Sequence, residues 1–508
     1  MRLRDVLIVL VLSASLLLPN LGRVSLWNNN EPRYAHTARN MILTGDYLVP
    51  RLKGEIRYDK PILTYWLIVT SSKIVSGGRV TEFSARLPFV ICGMLCLVVV
   101  YLFGEALFSP EVGLMGSILL LLTNEFVITA RRALPDMALC LFVTLAVLLL
   151  YLGLERRGFI PWAWLACAFA FLTKGPVGVL IPFAVLGLYT SVNGNLRDFL
   201  FERRHLFGFI LFVAVALPWF VAADHGFLAK FLLMHNIKHF AKGLDHVKPW
   251  YFYFLAAPFC FAPVVLFWPS YFRRWRSLPF IWASFVFLFF TMAAAKRVVY
   301  LLPMAPPLAL MAAHVCHRVV TGEAEGVERL NFNVAVFSCI GALLVSPVLS
   351  ILVFKYRPPL FAASLVVLGA MVAMFVAVRG GHSLRFWSLV SLLFFSYLVY
   401  FGWVLPDYDA RFRDARPLAE AITAQVGSAP LYRLGSYDAA LEFYLGRPFV
   451  PKVGCSSLGR LNGAFVVGRV KDYRRCMKEV KGVKLHRVFV MSNRGREFVL
   501  FRVGGEGR

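Results

Sequence analysis

The chain encodes an α-helical polytopic membrane protein with a small α/β domain at its C-terminal end. Three observations lead there. Of 508 residues, 59% are hydrophobic and 16% charged, and the mean hydropathy is +0.68, more apolar surface than a water-soluble core can hide. Apolar runs long enough to cross a bilayer, about 20 residues each, recur as far as residue 405. Beyond Pro406 the character changes to mixed and polar.

Candidate spans lie near 6–22, 62–77, 88–107, 137–154, 161–172, 176–190, 206–222, 251–271, 279–294, 298–317, 332–354, 359–378 and 385–405, about 13 transmembrane helices. A further run, 113–129, is interrupted by Thr123, Asn124 and Glu125 and is read as only half inserted. The first span follows MRLRD and contains Ser13-Ala14-Ser15, which resembles a signal-peptide cleavage site. An uncleaved anchor is the expectation, because the informative sequence begins directly after it.

Charge sets the orientation. With the N-terminus in the cytoplasm and 113–129 uncrossed, every inner segment carries arginine, from Arg2 and Arg4 through Arg79 and Arg86 to Arg379 and Arg385, as the positive-inside rule requires. The C-terminal tail then lies outside. Two outer segments break the rule. Segment 23–60 holds Arg23, Arg33, Arg39, Arg51, Lys53, Arg57 and Lys60, and loop 224–250 holds Lys230, Lys238, Lys242 and Lys248 with four histidines. One account is a basic loop at anionic headgroups; the other is a phosphate-bearing ligand held at the outer face. The formal net charge of +26 does not indicate nucleic acid, because the basic residues fall in short loops between apolar runs.

The tail, 406–508, reads as a small α/β domain. Segments 431–435, 464–470, 484–490 and 497–503 have strand character, and 413–426 and 471–481 helical character. No catalytic constellation is visible in it. The nine cysteines form no CxxC pair and no metal pattern; most lie in apolar runs as small hydrophobes. Cys455 and Cys476 lie in the tail, where an extracytoplasmic setting permits a disulfide.

The stretch that carries chemistry is 27–66, WNNNEPRYAHTARNMILTGDYLVPRLKGEIRYDKPILTYW. Glu31-Pro32 starts a helix, Pro suiting its first turn and Glu its positive end. Ala35, Ala38, Met41 and Ile42 follow at helical spacing, which predicts an amphipathic helix along the membrane surface. Structural readings stand beside functional ones: Glu31 as a helix-start charge, Lys60 as a snorkelling residue, Asp136 as a helix-start residue. In the thirteen-span reading these three share one face with Lys174, loop 224–250 and Lys296, and ionisable residues at membrane depth are costly and usually functional.

The pattern W…NEPRYA…GD-x-x-VPRL…YDKP…YW resembles the aminoarabinose transferase branch of the protein mannosyltransferase-related family, membrane glycosyltransferases of GT-C architecture. The likeness continues through ALPDM (133–137), LTKGPVGVLIP (172–182), LPWF (217–220), NIKHF and KPWYFYF (236–240 and 248–254), and KRVVYLLP (296–303). It covers about 1–310 in order; the later spans and the tail match in architecture only. The resemblance implies transfer of a sugar from a polyprenyl (undecaprenyl) phosphate carrier to an acceptor such as lipid A or another envelope glycan at the periplasmic face of a bacterial inner membrane, with inversion. It gives Lys60 and Lys296 as phosphate ligands, Arg33, Tyr300, Lys174 and His239 as substrate-binding candidates, and Glu31, Asp136 and Asn30 as catalytic candidates. Asp59 stands where relatives carry an acidic residue implicated in divalent metal binding. Such chemistry needs a carboxylate to orient or deprotonate the acceptor and cations on the departing phosphate; the outer cationic excess matches the second need independently.

Three departures bear on this. Asn30 stands where the family has Asp, and an amide accepts a hydrogen bond but cannot act as a base. His239 replaces an Arg, and Arg297-Val298-Val299 replaces Leu-Pro-Thr. A protein O-glycosyltransferase of the same family and a catalytically inactive polyprenyl-phosphate-binding protein therefore stay open. A transporter would want charged or broken helices at mid-membrane and inverted repeats; the charges here gather at one face.

Overall fold

A computed structural model of the protein describes residues 2–26, 30–223, 231, 247–435, 438–447, 450–480, 483–493 and 496–504. The chain forms two compact units: Met1–Leu21, Tyr58–Leu67 and Arg86–Val404 make the first; Gly22–Arg57, Ile68–Ala85 and Leu405–Arg508 make the second.

The first unit is a helical bundle. Among the described residues seven helices are long and apolar enough to cross a membrane, and nine segments qualify if each of two bent pairs counts as one span. The protein is thus multi-pass. One bent pair is Pro110–Leu121 with Asn124–Ala130, meeting at 71°, and the other is Phe252–Cys260 with Val264–Arg274, meeting at 114°. The second was expected as one continuous span; Pro258, Pro263 and Pro269 withhold backbone donors there, which breaks helical hydrogen bonding.

Polar contacts fix the two ends of the first helix, Leu3–Leu17. At its start, Arg2 pairs with Glu111 at 2.8 Å and its backbone N–H donates to the Tyr101 hydroxyl at 3.2 Å. At its far end, the Arg131 guanidinium donates to the carbonyls of Leu16, Leu17 and Pro19 at 3.0, 2.7 and 2.6 Å. Those are the orphan acceptors of a helix C-terminus, and a buried arginine satisfies three at once. Arg86 donates to the Leu21 carbonyl at the same end, at 2.8 Å.

These contacts correct the span assignment. Residue 86 lies at the end where the first helix leaves, and 62–77 forms the 14-residue helix Leu63–Ser76, which is not among the helices long and apolar enough to cross. Residues 111 and 131 lie at opposite ends, so 113–129 does run between them. Arg86 was counted with the charges at the opposite end; its side chain instead serves a backbone carbonyl. Close backbone approach builds the turn at the other end of helix Glu82–Leu107: a methyl at Gly104 would collide with the backbone of Gly113 in the helix that follows. Small residues permit such contacts between membrane helices. Near the start end, Glu328 pairs with Arg274 at 2.6 Å and Arg318 at 3.2 Å and also accepts from the Glu325 N–H, capping helix Gly326–Phe354.

The second unit holds helix Asn30–Thr44, the hairpin β1 (Arg51–Leu52) and β2 (Glu55–Ile56), and the tail domain. The tail sheet contains β3 (Leu431–Leu434), β4 (Lys452–Val453), β5 (Phe465–Arg469), β6 (Leu485–Asn493) and β7 (Arg496–Val503) in the order β4-β3-β5-β7-β6. β3 runs parallel to β4 and β5; β7 runs antiparallel to β5 and β6. All four expected strands are present; β4 and helix Ala439–Tyr444 were not foreseen. Leu431, Val467 and Leu500 close the core on one face and Val466, Val499 and Phe501 on the other. Cys455 and Cys476 are bridged. Helix Asn30–Thr44 buries Tyr34, Ala35, Ala38 and Met41, and also Glu31, His36 and Thr37. The helix lies against helix Ala439–Tyr444, with Arg39 on the Phe443 ring and carbonyl.

Candidate active site

In the first unit, three site candidates meet at the end of the bundle where the first helix leaves. Asp136 opens helix Pro135–Glu155, with Pro135 in its first turn. Lys174 closes helix Ile160–Lys174 before Gly175, whose φ of 86° ends the helix. The two helices pack side by side, which brings the Lys174 Nζ into direct hydrogen-bond contact with Asp136 Oδ1. The side chains are 13% and 8% exposed. The Tyr300 ring lies 4.4 Å from the same ammonium. A buried carboxylate, its lysine and an aromatic face thus form one cluster, the lysine satisfying the charge that burial would otherwise make costly.

Tyr300 sits on the 3-10 segment Val298–Met304. Tyr253 locks the approach to it: its hydroxyl donates to the Arg297 carbonyl at 3.0 Å and accepts the Arg297 N–H at 3.1 Å. Lys296 is 5% exposed and donates to the Ala293 carbonyl; burial holds its ammonium below the usual lysine range. Val247 pairs with Ala295 in an isolated antiparallel bridge, which joins residue 247 to this turn. Lys60 donates from Nζ to the Asp59 carbonyl at 2.8 Å.

Glu125, Arg132 and Arg297 are charged neighbours that the sequence did not mark as site residues. Glu125 lies on the short helix Asn124–Ala130, accepts from the Thr129 hydroxyl at 3.2 Å, and is acted on electrostatically by Arg132, Asp136 and Arg297. The doubled Arg131-Arg132 just ahead of ALPDM was the available signal.

The other candidates belong to the second unit. Asn30 and Glu31 begin helix Asn30–Thr44; Glu31 is buried, and Arg33 and Asn30 are half-buried. Beside them Arg57, nearly buried, lies 4.6 Å from the Tyr34 ring and donates to the Thr37 hydroxyl at 3.4 Å. His239 and most of loop 224–250 lie outside the described residues. Among the described residues no group of three or more His, Cys, Asp or Glu side chains could hold a metal ion.

Comparison with known proteins supplies the family. A model described as dolichyl-phosphate-mannose-protein mannosyltransferase matches residues 59–221. An uncharacterised protein of Aquifex aeolicus is 30% identical over 297 residues, 57% of this chain and 67% of that one. An undecaprenyl phosphate-alpha-4-amino-4-deoxy-L-arabinose arabinosyl transferase of Edwardsiella ictaluri is 26% identical over 438 residues, 81% of this chain and 78% of the relative. Crystal structures of ArnT from Cupriavidus metallidurans share the fold. The apo form gives a TM-score of 0.77 at 22% identity, and the form bound to undecaprenyl phosphate 0.76 at 21%; each covers 98% of this chain and 97% of that one. The chain belongs to the protein mannosyltransferase-related family of membrane glycosyltransferases, and is similar within it to the undecaprenyl phosphate-alpha-4-amino-4-deoxy-L-arabinose arabinosyl transferases.

Proposed function

We propose that this protein transfers a sugar from a polyprenyl phosphate carrier to lipid A or another envelope-glycan acceptor, with inversion, at the outer face of a bacterial inner membrane. The observation that carries this reading is the Asp136–Lys174–Tyr300 cluster at one end of the bundle, in a chain whose named relatives are arabinosyl transferases acting from undecaprenyl phosphate. In the reaction an acceptor oxygen forms a bond to the anomeric carbon while the bond from that carbon to the phosphate oxygen breaks. The carrier leaves as polyprenyl phosphate with added negative charge. Lys60, Lys296, Arg33 and Tyr300 are the groups assigned to that charge, and the sequence assigns His239 to it as well; a cation placed where charge develops lowers the barrier.

Asp136 or Glu31 takes the acceptor's proton when the acceptor is a hydroxyl, and Asn30 accepts a hydrogen bond that orients it. A phosphate acceptor is already ionised, and positioning alone then suffices, which suits an amide at residue 30. Thirteen crossings remain the proposed count, with 110–130 in place of 62–77. That topology keeps the N-terminus cytoplasmic and sets the site and the 406–508 domain outside. The Cys455–Cys476 bridge supports an oxidising compartment for the tail. The family model's description favours a second reading, in which the acceptor is a protein hydroxyl.

The test is a transfer assay in membranes with labelled polyprenyl-phosphate sugars, following label into lipid A, other glycan and protein, with Asp136→Asn as control. Label entering one fraction and lost in the variant supports the reading and names the acceptor class. Carrier binding without transfer from any donor would leave an inactive lipid-binding protein, with Asn30→Asp the variant to restore activity.

A further inference from the structure

We infer that the C-terminal domain is a positioning element for the reaction: through Asp409, Tyr444 and Phe443 it holds the chain at residues 25–26 and at Arg39, on either side of Asn30 and Glu31. The inference rests on the reading above for what those two residues do. Segment 22–26 has no regular secondary structure, yet Ser25 and Leu26 are fully buried. Buried backbone N–H groups require partners, and a segment outside helix or sheet cannot supply them to itself.

The tail domain supplies them. Asp409 accepts the Ser25 N–H and hydroxyl, each at 2.7 Å. The Tyr444 hydroxyl accepts the Leu26 N–H at 2.8 Å and donates to Glu82 at 3.0 Å. Arg416 donates to the Arg23 carbonyl at 3.0 Å and lies 3.4 Å from Glu82. Beyond the candidate residues, Arg39 donates to the Phe443 carbonyl at 2.6 Å, with its guanidinium 3.8 Å from that ring. The chain is therefore held on both sides of Asn30 and Glu31, at residues 23–26 and at Arg39, by contacts with residues 384 to 418 positions away in sequence. Hydrogen bonds of this kind specify direction, which a merely apolar dock would not. A misplacement of about 1 Å in a catalytic group costs on the order of a hundredfold in rate.

The experiment compares the full-length wild type with Tyr444→Phe and Ser25→Ala, each of which removes a hydroxyl and little volume. Three quantities are read in liposomes: kcat and donor KM, binding of polyprenyl phosphate alone, and hydrogen exchange across residues 23–33. Tyr444→Phe is expected to lower kcat about tenfold or more, to leave carrier binding within about twofold, and to speed exchange in 23–33 alone. Ser25→Ala should do the same to a smaller degree, and covers the case in which Tyr444→Phe fails to fold. Wild-type kcat and unchanged exchange in both variants would overturn the inference. So would a loss of kcat matched by an equal loss of carrier binding and by faster exchange throughout, which is general destabilisation. A wild type that transfers no sugar would sink the proposed function instead, and exchange at 23–33 would still decide whether the tail orders that segment.

Discussion

Replacing Lys174 by Met tests the central cluster most directly. Both charges of the Asp136–Lys174 pair are largely withdrawn from water, with side chains 8% and 13% exposed. Removing one partner of a buried pair leaves an uncompensated charge and costs about 3–5 kcal/mol. Methionine keeps most of the volume and its contact with the Tyr300 ring, so the loss is chiefly electrostatic. Loss of the ammonium from above that ring adds about 0.5–2 kcal/mol. Asp136→Asn alone strands the lysine and carries a similar penalty. The double variant has no buried charge left, so it should be more stable than either single variant, with a coupling energy of about 3 kcal/mol. The measurement is the melting temperature of all four proteins in detergent, where the double variant should melt above both singles. A double variant melting below both, by the sum of the two separate shifts, would show the residues to be energetically independent and would refute the cluster as drawn.

Three other expectations follow from particular contacts. Gly104→Leu forces a side chain into the Gly113 backbone; overpacking costs about 1–3 kcal/mol or more, which lowered yield and melting temperature would report, whereas Gly341→Leu, at a glycine with open space around it, should be silent. Burial pushes the Glu442 carboxyl up to about 7 from a usual 4.5, Arg433 and Lys53 pulling it down and Asp438 adding to the rise. The folded form then holds this proton more tightly than the unfolded chain. Its contribution is greatest below about pH 4.5 and is lost as the pH rises toward 7, by about 3 kcal/mol at the upper bound. The stability difference between wild type and Glu442→Gln should therefore change over that window and be flat above it. Finally, Cys455→Ser opens a loop of sequence separation 21, and the unfolded chain regains entropy worth about 3 kcal/mol; limited proteolysis of the tail should accelerate, and unchanged proteolysis would argue against a bridge in the native protein.

How much of the site was legible depended on whether the signal was local. Asp136 could be found because a carboxylate after Leu-Pro at the start of an apolar run is conspicuous within five residues. That Lys174 is its partner was not legible, since 38 residues separate them and only the packing of two helices closes the gap. Lys296 could be placed near the outer face, but not its turn toward the Ala293 carbonyl. The span assignment shows the same limit. Run 62–77 and run 113–129 look alike in length and composition, and hydropathy reports the solvent a residue prefers, not the end of a bundle at which a segment stops. The contacts of Arg86 with Leu21 and Arg131 with Leu16–Pro19 decide between them. Counting Arg86 as a topological charge failed because a buried arginine can serve backbone carbonyls instead.

The tail was legible as a fold and not as a partner. Its strands are short runs rich in Val, Leu and Phe and its helices are amphipathic over short windows, so β3, β5, β6 and β7 could be read one at a time. Nothing local marks Asp409 or Tyr444 as acceptors for the backbone of residues 25 and 26. The amino-acid sequence by itself determined the solvent, the helical class, the family and the kinds of side chain available for the chemistry, because each is set by composition or by motifs a few residues long. Only the tertiary structure decided which apolar runs traverse the bundle, which lysine neutralises Asp136 and what holds the first loop, because those depend on directional hydrogen bonds between groups tens to hundreds of residues apart.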